Sequence, residues 1–300
     1  MWATQVPVIR LMGNDLGPVT IAFVPMICST IFFIPFLLYE NKKRKDRKAR
    51  TWKDLSYFIL PGLIGIFVMQ YAYTLGSTLT LAANAGIITL TIPVLVAIFA
   101  SVFLGEKLNI VRIAGFVIAI AGVLLTSISD VKGARLGEGQ YFKGNMIFLF
   151  ACCCCAFYNT YCKLLVDKGY SEIEILVYSS LIGSIASLPL LIWVEPFHLT
   201  AILHSRKEII LGLLELSFIV YGISMILFFY VLKNMDVTQA ILGNYLLPFF
   251  ISLLGVILLN EKITGIMLTG GFIIVVGTLM VTVWENQLVE FFKKRKRAQV

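Results

Sequence analysis

From Val19 to Trp284 the chain is a succession of apolar segments, each about 20 residues long, joined by short polar connections, and a charge inside one of them is rare. A helix needs about 20 residues to cross the hydrocarbon core, whereas the strands of a membrane β-barrel alternate polar and apolar positions. Unbroken runs of helical length therefore predict an all-α polytopic membrane protein. Composition agrees. Hydrophobic residues make up 59% of the 300 and charged residues 14%, against about 45–50% and about 25% in a soluble domain, and the mean hydropathy is +0.89.

Ten spans are predicted, at 1–12, 19–38, 55–76, 83–104, 110–128, 145–166, 173–193, 209–230, 238–259 and 264–284, numbered helices 1 to 10. Helix 1 is anomalous. It carries Thr4, Gln5, Pro7 and Arg10, and a dozen residues reach only about 18 Å at 1.5 Å per residue, too little to cross. It is expected to lack its first half, as a misplaced start codon would produce.

Basic residues set the orientation. The segment Lys42 to Lys53 holds eight Lys or Arg and the tail Lys293 to Arg297 holds five, while the connections near residues 13–18 and 77–82 hold none. The positive-inside rule puts both basic segments, and with ten spans both termini, in the cytoplasm. The expected location is the cytoplasmic membrane of a prokaryote. Most of the net charge of +8 reflects this asymmetry, and the tail is expected to lie on anionic head groups rather than to bind nucleic acid.

An internal repeat runs through the chain. Pro93, Leu104, Glu106, Lys107, Gly115 and Gly122 are matched by Pro248, Leu259, Glu261, Lys262, Gly270 and Gly277, each 155 residues later without a gap. Apolar composition alone does not produce a proline, a charged pair and two glycines at one offset. Five spans per repeat bring the chain out on the side opposite its entry, so the second copy must be inserted upside down. Inverted repeats are characteristic of secondary transporters, whose halves rock about a site near the midplane. The implied organisation is 1–128 for the first repeat, 129–143 for an external linker, 144–284 for the second repeat and 285–300 for the basic tail.

The run Val102-Phe103-Leu104-Gly105-Glu106-Lys107-Leu108, preceded by Pro93 and followed by Gly115 and Gly122, resembles the signature of the EamA domain of the drug/metabolite transporter superfamily. The second half resembles it throughout, in Gly144-Asn145, Ala156-Phe157-Tyr158-Asn159, Gly183, Pro189 and the stretch from Pro248 to Gly277. The chain departs from that pattern in its short helix 1 and in Cys155, where the family often has Trp. The resemblance implies a ten-helix carrier of two inverted five-helix repeats. In it helices 1, 3, 4, 6, 8 and 9 surround a cavity, and helices 5 and 10 pack at the interface between repeats.

Several residues carry two readings. Gly115, Ala119, Gly270, Gly271 and Gly277 read as thin faces for close helix contact. Glu106-Lys107 and Glu261-Lys262 lie just before the next helix, where a carboxylate favourably faces that helix's N-terminus; the other reading is a gating ion pair. Pro93 and Pro248 should kink helices 4 and 9, either as hinges for alternating access or as fixed bends. Glu215, six residues inside Ile209, is the candidate proton-coupling carboxylate, unless it lies near enough to the outer interface to stay hydrated. Gln70, Tyr73, Asn84, Tyr158, Asn159, Tyr221, Asn244 and Tyr245 are the substrate-cavity candidates, with interhelical hydrogen bonding as the alternative. Lys163 and Arg10 are expected to snorkel to head groups.

Enzymatic chemistry finds no support. The sequence has no phosphate-binding glycine loop and no HExxH, and its two histidines, His198 and His204, fall in an external connection. Four consecutive cysteines, Cys152 to Cys155, point in four directions around a helix and cannot converge on a metal. No cofactor or metal is expected. The partners are a small-molecule substrate and the lipid bilayer, and a homodimer remains open. The leading expectation is a secondary carrier for an amino acid or related small polar metabolite, in the export direction. Alternatives are an antiporter of the sugar-nucleotide or phosphate type, which would want converging Lys or Arg, and a non-transporting membrane scaffold or receptor.

Overall fold

The structure is a computed structural model that describes residues 1–43, 52–105, 110–133, 140–195, 206–234, 237–240, 246–284 and 287, and among them every regular element is helical. The main elements are α1 (Trp2–Met12), α2 (Pro18–Lys43), α5 (Ile110–Gly133), α6 (Gln140–Asp167), α9 (Leu247–Leu259) and α10 (Gly265–Thr282). Between them run α3 (Asp54–Leu79), α7 (Glu172–Val194) and α8 (Lys207–Asn234). A further helix, α4, falls into two pieces, Ala82–Thr89 and Ile92–Phe103. Helices α2, α3, α4, α6, α7 and α8 are long and apolar enough to cross a membrane, and α5, α9 and α10 carry shorter apolar stretches. The protein is a multi-pass membrane protein.

The tightest seam lies between α5 and α10, the most extensive pairing of elements among the described residues. A Cβ at Gly115 would lie 2.7 Å from the Gly277 carbonyl oxygen, one at Gly277 the same 2.7 Å from that of Gly115, and one at Gly122 2.7 Å from that of Gly270. Backbone touches backbone here, which only glycine permits, and dispersion supplies the attraction that the hydrophobic effect cannot provide between helices in lipid. The pairing is reciprocal. Gly115 and Gly122 meet the repeat counterparts of each other, so the two helices cross antiparallel. Gly271 is less demanding, since its Cβ would meet Ile87 at 3.5 Å, an ordinary contact.

The expected kink at Pro93 is a full interruption. The helix stops at Thr89 and restarts at Ile92, with Pro93 in the first turn of the new piece, where a missing N–H costs nothing. The carbonyl of Leu90 accepts from Thr278 Oγ1 of α10 at 2.9 Å, so a group stranded by the break finds a partner on the neighbouring helix. In the second half α9 begins at Leu247 with Pro248 likewise in its first turn. Two other interruptions are π-helical, Pro61–Val68 in α3 and Glu215–Ile223 in α8. Adding the 155-residue offset to the first gives 216–223, so these too recur.

One end of the bundle gathers carboxylates that cap helices remote in sequence. Glu195, after α7, accepts from the amides of Val19 (3.0 Å) and Thr20 (2.9 Å) at the start of α2. Glu261 accepts from Ala82 (2.9 Å) and Ala83 (3.1 Å) at the start of α4. Each satisfies two of the amides a helix leaves unbonded, a favourable site for negative charge. This corrects the sequence expectation for Glu261, which serves a helix in the other half of the chain and not the following α10, whose cap is Thr264. The snorkelling expectations are corrected as well. Arg10 Nε lies 3.2 Å from Glu261 Oε1, and Lys163 Nζ donates to the Leu232 carbonyl at 2.9 Å and pairs with Asp167 at 3.0 Å. In both cases the cation has a partner on the protein. Lys262 is exposed, whereas Glu106, Lys107, His198, His204 and the tail 293–297 lie outside the described residues.

The seam yields a prediction with an internal control. Gly277→Ala forces backbone apart and should destabilise the protein by about 1–3 kcal/mol, as overpacking does, whereas Gly265→Ala, whose Cβ meets nothing within 4 Å, should not. Thermal melting of the detergent-solubilised variants measures both, and equal melting points would remove the seam from the account.

Candidate substrate cavity

The interruptions of α3, α4 and α8 decide which side chains meet. A π-helical turn holds an extra residue and rotates the face that follows it, and such turns are frequent at functional sites. In α3 the stretch ends at Val68 and Met69 and Gln70 follow at once; in α8 the stretch itself carries Val220 and Tyr221. These line a cavity of ≈ 620 Å³, its open mouth included, together with Tyr73 of α3, Thr89 and Ile92 from either side of the α4 break, and Cys155, Tyr158 and Asn159 of α6. Trp2 and Gln5 of α1, Met225 of α8 and Leu247 of α9 complete the wall.

Local contacts hold several of these groups. Gln5 Nε2 donates to Tyr221 OH at 3.3 Å, and Trp2 Nε1 donates to Ser224 Oγ at 2.7 Å while its ring meets Phe228 edge-on at 5.2 Å. Tyr73 packs on Phe148 with ring centres 4.7 Å apart. Asn159 Nδ2 lies 3.6 Å from Cys155 Sγ, a weak contact that leaves most of the amide's capacity for other partners. Gln70, like the Tyr158 hydroxyl on the same wall, is left partly unsatisfied. Its residue is 3% exposed, yet its Oε1 has no hydrogen-bond partner among the described residues. An unpaired buried polar atom costs about 1–3 kcal/mol, a cost that a bound polar solute would offset. No ionised side chain is among the described residues lining the cavity.

Five candidates from the sequence thus come together: Gln70, Tyr73, Tyr158, Asn159 and Tyr221. Asn84 does not. It is fully buried in the first piece of α4, on a different face from Thr89, which at five residues on stands about 140° round the same helix and lines the cavity. Asn244 and Tyr245 lie outside the described residues. Glu215 stands off the wall at the start of the π-helical stretch, where its Oε1 accepts from Thr4 Oγ1 and its Oε2 is buried without a partner among the described residues. Thr4 is followed in α1 by Gln5, which donates to Tyr221 of the wall. Sequence reasoning missed Trp2, Gln5 and Cys155. The signal in helix 1 was present, because an amide in an apolar helix is as telling there as in helix 3.

The sequence profile described as the EamA-like transporter family matches residues 1–128 and 142–283. The chain belongs to the EamA-like transporter family. Its members are transporters, not enzymes. Among curated relatives it is similar to a protein of Streptantibioticus cattleyicolor named "Probable terminal-alkyne amino-acid exporter", 25% identical over 93% of this chain and 89% of that protein. It is also similar to an uncharacterized transporter of Archaeoglobus fulgidus, 24% identical over 96% of this chain and 95% of that one. A solved structure described only as a crystal structure of a protein shares the fold, with a TM-score of 0.63 and 19% identity over 95% of both chains.

Two substitutions in the wall should have opposite effects on stability. Gln70→Leu removes an unsatisfied buried amide and is expected to leave the folded protein equally stable or more stable by about 1 kcal/mol, whereas Gln5→Leu strands Tyr221 and should cost about that much. Thermal melting distinguishes them; a large loss for Gln70→Leu would mean that the amide is paired.

Proposed function

We propose that the protein is a secondary carrier that exports a small polar metabolite without net charge, an amino acid or a related solute, by alternating access across the cytoplasmic membrane. The observation that carries this is the wall of the cavity, where carboxamides of Gln5, Gln70 and Asn159 stand among aromatic and thioether side chains and no ionised group is present among the described residues. An amide both donates and accepts, so it can meet an ammonium or a carboxylate at membrane depth without itself carrying charge there. A phosphorylated solute would bring two negative charges to a wall with no described cation to offset their desolvation, which disfavours the antiporter alternative. The relative named as a probable terminal-alkyne amino-acid exporter supports both solute class and direction.

On this reading the chain forms ten spans in two inverted halves, 1–128 and 144–284, with both termini cytoplasmic. The reciprocal contact of Gly115 with Gly277 and Gly122 with Gly270 supports the inversion, because a two-fold axis that interchanges antiparallel helices lies across them, in the plane of the membrane. Pro93 and its repeat counterpart Pro248 are the hinge candidates, since the helix interrupted before Pro93 already lacks the hydrogen bonds that bending would strain. Glu215, a carboxylate with a buried, unpartnered oxygen among the described residues, couples export to the proton gradient.

Purified protein in liposomes, assayed for efflux of a panel of labelled solutes with and without an imposed pH gradient, tests the proposal. Flux of a net-neutral solute is expected to fall by on the order of tenfold or more in Gln70→Leu, even though that variant folds, and stimulation by the gradient should disappear in Glu215→Gln. Flux confined to phosphorylated solutes, or absent from well-folded protein, would overturn the carrier reading; an undiminished response to the gradient in Glu215→Gln would remove the coupling role alone.

A further inference from the structure

We infer that Glu261 is the centre of a releasable latch that holds one end of the cavity shut by tying α9 to α1 and α4. It rests on the carrier reading only for its purpose, since the closed end is a property of the fold.

The geometry begins with the end of α9. Asn260 adopts a left-handed conformation (φ 54°), and the amide of Glu261 donates to the Gly255 carbonyl at 3.2 Å. This turn folds the Glu261 side chain back along its own helix. There a Cβ at Gly255 would come within 3.1 Å of Glu261 Oε2 and 3.2 Å of Ala82 Cβ, so glycine at 255 and alanine at 82 leave the space the carboxylate occupies. The turn recurs in the first copy, where Gly105, the counterpart of Asn260, has φ 71°.

From that position the carboxylate bonds the two amides at the start of α4 and meets Arg10 at the end of α1. The same three helices line the cavity farther along, through Gln5, Thr89 and Leu247. At 1.5 Å per residue Gln5 is about 8 Å from Arg10 and Thr89 about 10 Å from Ala82. The interval is filled by Val6 and Ile9 of α1, Ala85 and Ile88 of α4 and Ile251 of α9, all fully buried. A buried plug, apolar except for Asn84 of α4, therefore separates cavity from latch. A solute leaving by that end must part these helices, and parting them breaks the Glu261 contacts.

The latch is built to open. Arg10 Nε faces Glu261 Oε1 at 3.2 Å without hydrogen-bond alignment, and Arg10 Nη1 is buried with no acceptor among the described residues. A buried pair satisfied this incompletely barely offsets the desolvation of its charges, so it holds position without locking it. Glu261 thus does two jobs: its amide bonds build the start of α4, and its contact with Arg10 sets how readily the end opens.

The test uses Cys155, the cysteine on the cavity wall, and needs no solute. Right-side-out and inside-out vesicles are treated with a membrane-impermeant thiol reagent, and mass spectrometry assigns the modified cysteine. In the native protein Cys155 is expected to react from the face away from the latch. Arg10→Met, which leaves the amide bonds intact, and Glu261→Gln should each raise modification from the latch face on the order of tenfold, while Arg10→Lys stays near the native rate. Reaction of native Cys155 from the latch face, an unchanged rate in Arg10→Met, or an equal rise from both faces would overturn the latch. Should Glu261→Gln fail to fold, Arg10→Met decides. A carrier that moves no solute can still pass this test, so the two failures are distinguishable.

Discussion

A helix buried in hydrocarbon has no water to turn to when its ladder of hydrogen bonds is broken, and each stranded N–H or C=O costs several kcal/mol unless another part of the chain supplies a partner. This protein breaks its helices repeatedly, and where the breaks are described a neighbour answers them. Thr278 of α10 bonds the Leu90 carbonyl at the interruption of α4. Glu261 takes the first amides of α4 and Glu195 those of α2. The arrangement of the bundle is in large part the arrangement these repairs require.

The interruptions in turn make the cavity. An unbroken α3 or α8 would present one continuous stripe of side chains to its neighbours and pack like any apolar helix. The π-helical stretches rotate that stripe in mid-membrane, and Gln70, Val220 and Tyr221 emerge where they do as a result. The seam of α5 and α10 stays apart from this. Its glycines bring two backbones into contact and carry none of the cavity wall, so the repeat motif most evident in the sequence holds the halves together while less evident residues face the space between them.

Particular residues mark how far the sequence could be read. Helical class, the main spans and the close approach at Gly115 and Gly277 were legible, because burial in lipid demands long apolar runs and close packing demands small residues at fixed spacing. Gln70, Tyr73, Tyr158, Asn159 and Tyr221, proposed from the sequence because a polar group in an apolar helix is costly, lie on one wall in the structure. Gln5 was passed over because helix 1 looked defective, and Asn84 was included because which face of α4 meets the cavity is set by packing and not by the segment itself. Glu261 was read as the partner of the helix beside it in the chain, the natural assumption when capping is judged from adjacency.

Sequence alone determined what depends on composition and period: helices in a membrane, an internal duplication and the glycine faces along which its copies meet. The tertiary structure alone decided the partners of charges and the facing of polar groups. Glu261 with Ala82 and Arg10, Glu195 with Val19, and Thr278 with Leu90 are each separated by well over a hundred residues. A pairing across that distance is chosen by which helix ends arrive at the same place, and that follows from packing the whole bundle, not from any stretch of the chain.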